Sequence, residues 1–106
     1  MARVLQTPEV VDDLIAIGEF VAEESQSLKI ALGLLDKIDQ KCKLYASNPA
    51  MGTDRPDLGD GVQVFPVDSY VVIYRPTNGG IQVLMVVHGS RNIPPLFGRR
   101  MKGSNE

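Results

Sequence analysis

The sequence predicts an α+β fold in which a helix hairpin covers one face of a mostly antiparallel four-stranded sheet, in the order β-α-α-β-β-β. Three observations predict it. Apolar residues recur at three- and four-residue steps from Val10 to Val21 and again from Leu28 to Tyr45, with Ser25-Gln26-Ser27 between the two stretches. After a turn-rich connector, PAMGTDRPDLGDG (residues 49–61), three strand-like runs follow one another, separated by Asp68-Ser69 and by PTNGG. Helices segregated from hairpin-linked strands pack as one layer on a sheet, and 106 residues suffice for one such core.

Each element has its own signal. ARVLQ (residues 2–6) reads as a short strand, and Thr7-Pro8 after it is a helix start: the threonine hydroxyl caps free amides, and proline at the first helical position lacks only an amide that would be unpaired. Glu9, Asp12 and Asp13 then oppose the positive end of the helix dipole, and Val10, Leu14, Ile17 and Val21 form the stripe of a helix over 8–24. Gly18 sits near its middle, where glycine costs about 1 kcal/mol against alanine, so a close neighbour there is the expected compensation. Ala31, Leu35, Ile38, Cys42 and Tyr45 carry the second helix to Asn48-Pro49. So short a link makes the two helices antiparallel. The strands follow at 62–67, 69–75 and 81–88, with Pro66 placing the first of them at an edge or a bulge.

The last strand raises a question. Along IQVLMVVH the odd residues Ile81, Val83, Met85 and Val87 are all apolar, and so are the even ones Leu84 and Val86. Successive side chains face opposite sides of a sheet, and one helix hairpin hides only one side. The other needs the tail PPLF, a second copy or a different protein. The domain is expected to span residues 1–97, with a basic tail over 98–106.

Composition narrows the function. No apolar run nears the roughly 20 residues of a membrane span, and MARVLQTPEVVDD lacks the plan of a signal peptide. Cys42 is alone, which leaves no disulfide framework and no zinc quartet; a cytoplasmic protein is expected. There is no phosphate-binding or dinucleotide-binding glycine pattern and no metal-ligand spacing, so no cofactor and no metal are expected. Residues 1–60 carry six bases and eleven acids, whereas residues 61–106 carry five bases and two acids. Arg75, Arg91, Arg99 and Arg100 in that second part suit an acidic surface or a DNA backbone. His88 ends an apolar strand, where it either bonds nearby backbone or shuttles protons.

Taken in order, TPEVVDDLIAIGEF, MGTDRPDLGDGV, FPVDSYVVIYRP and VLMVVHGSRNIPPLF make the chain resemble the ParE branch of the RelE/ParE superfamily, nearly to Phe97. The resemblance implies the toxin of a bacterial type II toxin–antitoxin pair, of the kind tied to plasmid stabilization. It further implies a poison of DNA gyrase rather than an enzyme, contacting its target through Arg75, His88, Arg91, Arg99 and Arg100. An antitoxin would hold it in a hetero-oligomer, against Phe65, Leu84, Val86, Leu96 and Phe97. No membrane and no sequence-specific nucleic acid enters this picture. The alternatives are a RelE-like ribonuclease, for which His88, Arg91, Tyr70 and Tyr74 would be the catalytic set, and a non-toxic binding module. Gln63 and Asn92 depart from the arginine and aspartate common in relatives.

Overall fold

In the computed structural model, which describes residues 2–104, the chain runs β1 (Arg3–Gln6), α1 (Pro8–Ser25), α2 (Leu28–Ser47), a 3-10 turn (Pro49–Met51), β2 (Thr53–Asp54), β3 (Gln63–Val67), β4 (Tyr70–Thr77), β5 (Gly80–His88) and α3 (Ile93–Ser104). Both expected helix starts are capped. Thr7 Oγ1 accepts from the Val10 amide at 3.3 Å and Ser27 Oγ from the Ile30 amide at 3.2 Å, each cap stabilising by about 1 kcal/mol. Gln26 takes a left-handed conformation, φ 56°, and lets the chain reverse at once. Gly18 has the close neighbour its cost implies: a Cβ there would lie 3.0 Å from Leu35 Cδ1.

The sheet has five strands in the order β1-β5-β4-β3-β2, with β1 parallel to β5 and every other pair antiparallel. The strand beyond the expected four is β2, hidden in the connector, where Thr53 pairs with Val64 and Asp54 with Gln63. Two residues leave no periodicity to read. The helix hairpin covers one face, burying Val10, Ile17, Ile38 and Cys42 against Phe65, Val72, Tyr74 and Val83.

The double-sided greasiness of the last strand has two causes. Ile73 pairs with Met85 but Tyr74 pairs with Val83, so Leu84 is an extra residue in β5. Such a bulge breaks the alternation. Ile81 and Val83 face the hairpin before it and Val86 faces the hairpin after it, while Leu84 and Met85 join the opposite cluster. Strict odd–even reading of this strand therefore fails.

The second cause is α3. Of the three covers open to the far face, the chain's own C-terminal segment is the one found. Ile93 and Phe97 pack as a helix on Val62, Ile73, Leu84 and Met85. Residues 98–104, expected as a tail, continue that helix, with Met101 packed against the same cluster. Residues 105 and 106 of the expected tail lie outside the described part. An apolar face left bare is thus no argument for a partner here.

Burial also sets the chemistry of Cys42. Desolvation under the hairpin, helped by the Asp39 carboxylate, pushes its thiol from 9.0 up to about 12. Above about pH 9 the unfolded chain loses this proton while the folded chain keeps it, so folding stability is complete below that pH and falls as pH rises toward about 12. The slope is about 1.4 kcal/mol per pH unit. Urea unfolding of Cys42→Ala and the parent between pH 7 and 11 should show this alkaline fall in the parent and a shallower one in the variant.

Candidate functional site

β1 is short. It pairs with β5 only over Gly80–Val83, so from Leu84 to His88 the outer edge of β5 has no strand beside it among the described residues. A groove of about 620 Å³ lies there between α1 and α3. Ala16, Ile17 and Phe20 line it from α1 and Leu96 from α3, and Tyr70, His88, Ser90 and Arg91 line it where β5 ends. Phe20 is 57% exposed, a large apolar side chain left uncovered by the described residues. Asp13 and Arg100 meet across the groove at 2.8 Å.

His88 is held by its surroundings. Its Nδ1 accepts from the Ser90 amide at 3.1 Å and lies 2.7 Å from Ser90 Oγ, while its ring stands edge-on to Tyr70, centroids 5.2 Å apart. With Nδ1 accepting, the neutral ring carries its proton on Nε2. The ring thus bonds local backbone through Nδ1. Burial pushes the Tyr70 phenol up from its ordinary range.

Tyr74 sits apart from this groove. It is 0% exposed, on the hairpin side of the sheet. Its hydroxyl accepts from the Gly52 amide at 3.1 Å and is placed to donate to either the Pro49 carbonyl, at 2.5 Å, or Gln63 Oε1, at 2.6 Å. Gln63 Nε2 in turn donates to Asp54 Oδ1 at 2.8 Å. Gln63 is thus a tether that pins β2 and the connector to the sheet. Tyr74→Phe removes the hub of this network and strands the Gly52 amide, so it should lower unfolding free energy by about 1–3 kcal/mol, measurable by chemical denaturation.

Of the possible ribonuclease set, Tyr70, His88 and Arg91 share the groove and Tyr74 does not. Among the described residues no group of three or more His, Cys, Asp or Glu is placed to hold a metal ion. Of the cations expected at a target, Arg75, Arg91 and Arg99 are exposed, whereas Arg100 is turned inward to Asp13 and the Leu84 carbonyl. The residues expected against an antitoxin do not form one surface. Val86 and Leu96 line the groove, Leu84 is buried beneath α3 against Phe97 on that helix's own inner side, and Phe65 lies on the hairpin face, stacked on Tyr45 at 3.9 Å. Arg55 and Asp57 form a local pair at 2.8 Å, which raises the guanidinium pKa and lowers that of the carboxyl.

Asp13 is the groove residue that sequence reasoning passed over. Read only as compensation for the helix dipole, it is in fact bonded to the sheet: its Oδ2 accepts the Val86 amide at 3.0 Å. Its position in the step Val10, Asp13, Ile17, along the inner side of α1, was the available signal.

No helix among the described residues is long and apolar enough to cross a membrane. Residues 4–93 match the family model described as the ParE toxin of type II toxin–antitoxin systems. Toxin ParE3 of Caulobacter vibrioides is 29% identical over 100 residues, covering 94% of this chain and 99% of that protein. A solved chain described as the chromosomal ParDE system of P. aeruginosa shares the fold with a TM-score of 0.69 at 21% identity, over 83% of this chain and 96% of that one. The family match runs from β1 to the first residue of α3 and so takes in the open edge of β5 and the α1 wall of the groove; the chain belongs to the ParE toxin family of type II toxin–antitoxin systems.

Proposed function

We propose that the protein acts by binding, as an inhibitor of DNA gyrase in the cytoplasm, and that an antitoxin encoded beside it neutralises it by laying a segment into the groove along β5. The observation that carries the antitoxin half is the open half-edge of β5 beside an apolar groove. An extended peptide gains backbone hydrogen bonds from such an edge and side-chain specificity from the groove. The Caulobacter relative is named a toxin and the P. aeruginosa neighbour is described as a toxin–antitoxin system, which supports the same pairing. The gyrase half rests on the family likeness and on Arg75, Arg91 and Arg99, whose exposed cations suit an acidic or nucleic-acid-bound surface.

A ribonuclease of this fold needs a base, an acid and cations around one phosphate. With Tyr74 elsewhere and Arg100 engaged by Asp13, the groove holds a thin version of that set. Incubation with gyrase and plasmid separates the readings: accumulation of cleaved linear DNA is expected, and intact plasmid together with cut message on ribosomes would overturn the proposal. Arg91→Ala should leave the fold intact, since the side chain is exposed, and should reduce toxicity about tenfold or more, in line with loss of a charge-assisted contact. Growth inhibition equal to the parent would remove Arg91 from the target surface.

A further inference from the structure

The open edge of β5 is not left to solvent. Asp13 reaches it from α1 and accepts the Val86 amide at 3.0 Å. Arg100 reaches it from α3, donates to the Leu84 carbonyl at 2.9 Å, and binds both Asp13 oxygens at 3.1 and 2.8 Å. Both side chains are 16% exposed. The Leu84 carbonyl and the Val86 amide thus meet one and the same ion pair, along the edge that an added strand would bond. The carboxylate accepts where an incoming carbonyl would, and the guanidinium donates where an incoming amide would. Together they imitate a strand.

Unpaired edges recruit other strands, and proteins guard them with charged side chains or covering elements. This guard differs in being tied to a helix. Arg100 belongs to α3, so the same contacts that close the edge also hold α3 to α1 across the groove. The geometry points to a latch: Asp13 and Arg100 keep the β5 edge closed in the free protein, and an extended partner segment adds there only after Arg100 leaves the Leu84 carbonyl and the Val86 amide passes from Asp13 to the incoming strand. This inference rests on the reading of the groove as an antitoxin site and concerns how that site is regulated. The partner segment it implies carries a free backbone carbonyl and amide at the right spacing, with apolar side chains for Ile17, Phe20 and Leu96. Because only the unlatched fraction is competent, a closed latch lowers apparent affinity by that fraction.

Arg100→Met keeps the aliphatic stem and removes the guanidinium. Asp13→Asn/Arg100→Met is the companion variant that removes both charges of the Asp13–Arg100 pair, should the single substitution prove unstable. In the free variants, amide exchange at Val86 and through α3 should rise about tenfold or more, while amides of β4 keep the parent's rates. The binding probe is a synthetic peptide copying the C-terminal half of the protein encoded beside this one. Its association rate constant should rise about fivefold or more in the variants, because the competent fraction grows. An unchanged or slower association would show that Arg100 merely supports the structure or contacts the peptide, and would overturn the latch. Should the peptide bind neither parent nor variants, the antitoxin reading fails instead; the exchange rates then decide, since rates at Val86 and α3 equal to the parent's exclude a latch.

Discussion

Phe97→Ala is expected to lower unfolding free energy by roughly 3–5 kcal/mol, the usual cost of removing a buried aromatic ring from a packed core. Phe97 is 1% exposed and packs with Ile93, one helical turn earlier, on Val62, Ile73, Leu84 and Met85. The loss should extend beyond the cavity because α3 has little stability of its own. It has twelve residues, shorter than an isolated helix needs. Gly98 and Gly103 each cost about 1 kcal/mol against alanine where they sit within it. Packing therefore holds the helix, and Phe97 is its most buried side chain. Urea unfolding followed by circular dichroism, with amide exchange along 93–104, checks both parts: a large stability loss and rapid exchange throughout α3. A loss below about 1 kcal/mol would mean that α3 is not what seals the far face.

The same helix shows where the sequence stopped being legible. Pro94, Pro95 and Gly98 read as loop, although prolines in a first turn sacrifice only amides that have no helical partner. The recurrence of Ile93, Phe97 and Met101 at four-residue steps lay underneath those signals. The hairpin was plain for the opposite reason: its caps, its apolar stripes and Gly18 all agreed, and each local preference pointed to one structure. The bulge at Leu84 left no trace, because every side chain around it is apolar and a shift of register changes nothing in such a run. The groove was legible in parts: in Tyr70, His88 and Arg91 at its end, and in Val86, Leu96 and Arg100 along it. Its crosspiece joins residues 87 positions apart, and no periodicity relates Asp13 to Arg100. That pairing emerges from tertiary placement of α1 and α3 on opposite flanks of one strand.

Phe65→Ala should be as damaging as the loss of Phe97, by roughly 3–5 kcal/mol, yet leave the groove's affinity alone. Phe65 is 1% exposed on the hairpin face, its ring parallel to Tyr45 within 7° at 3.9 Å and tilted against Tyr74 at 5.7 Å. Stacking of this kind adds about 0.5–1.5 kcal/mol beyond area burial. Its removal also withdraws support from Tyr74, whose hydroxyl secures the Gly52 amide and Gln63, so the connector and β2 should loosen with it. The groove along β5 lies between α1 and α3 and does not include Phe65. A partner that uses that groove therefore meets the same surface in every folded molecule of the variant. Titration below the melting transition should return the parent's dissociation constant once corrected for the folded fraction. A variant that keeps the parent's stability but binds the partner ten times more weakly, about 1.4 kcal/mol, would place Phe65 in the interface and put the partner on the β3 side of the sheet instead.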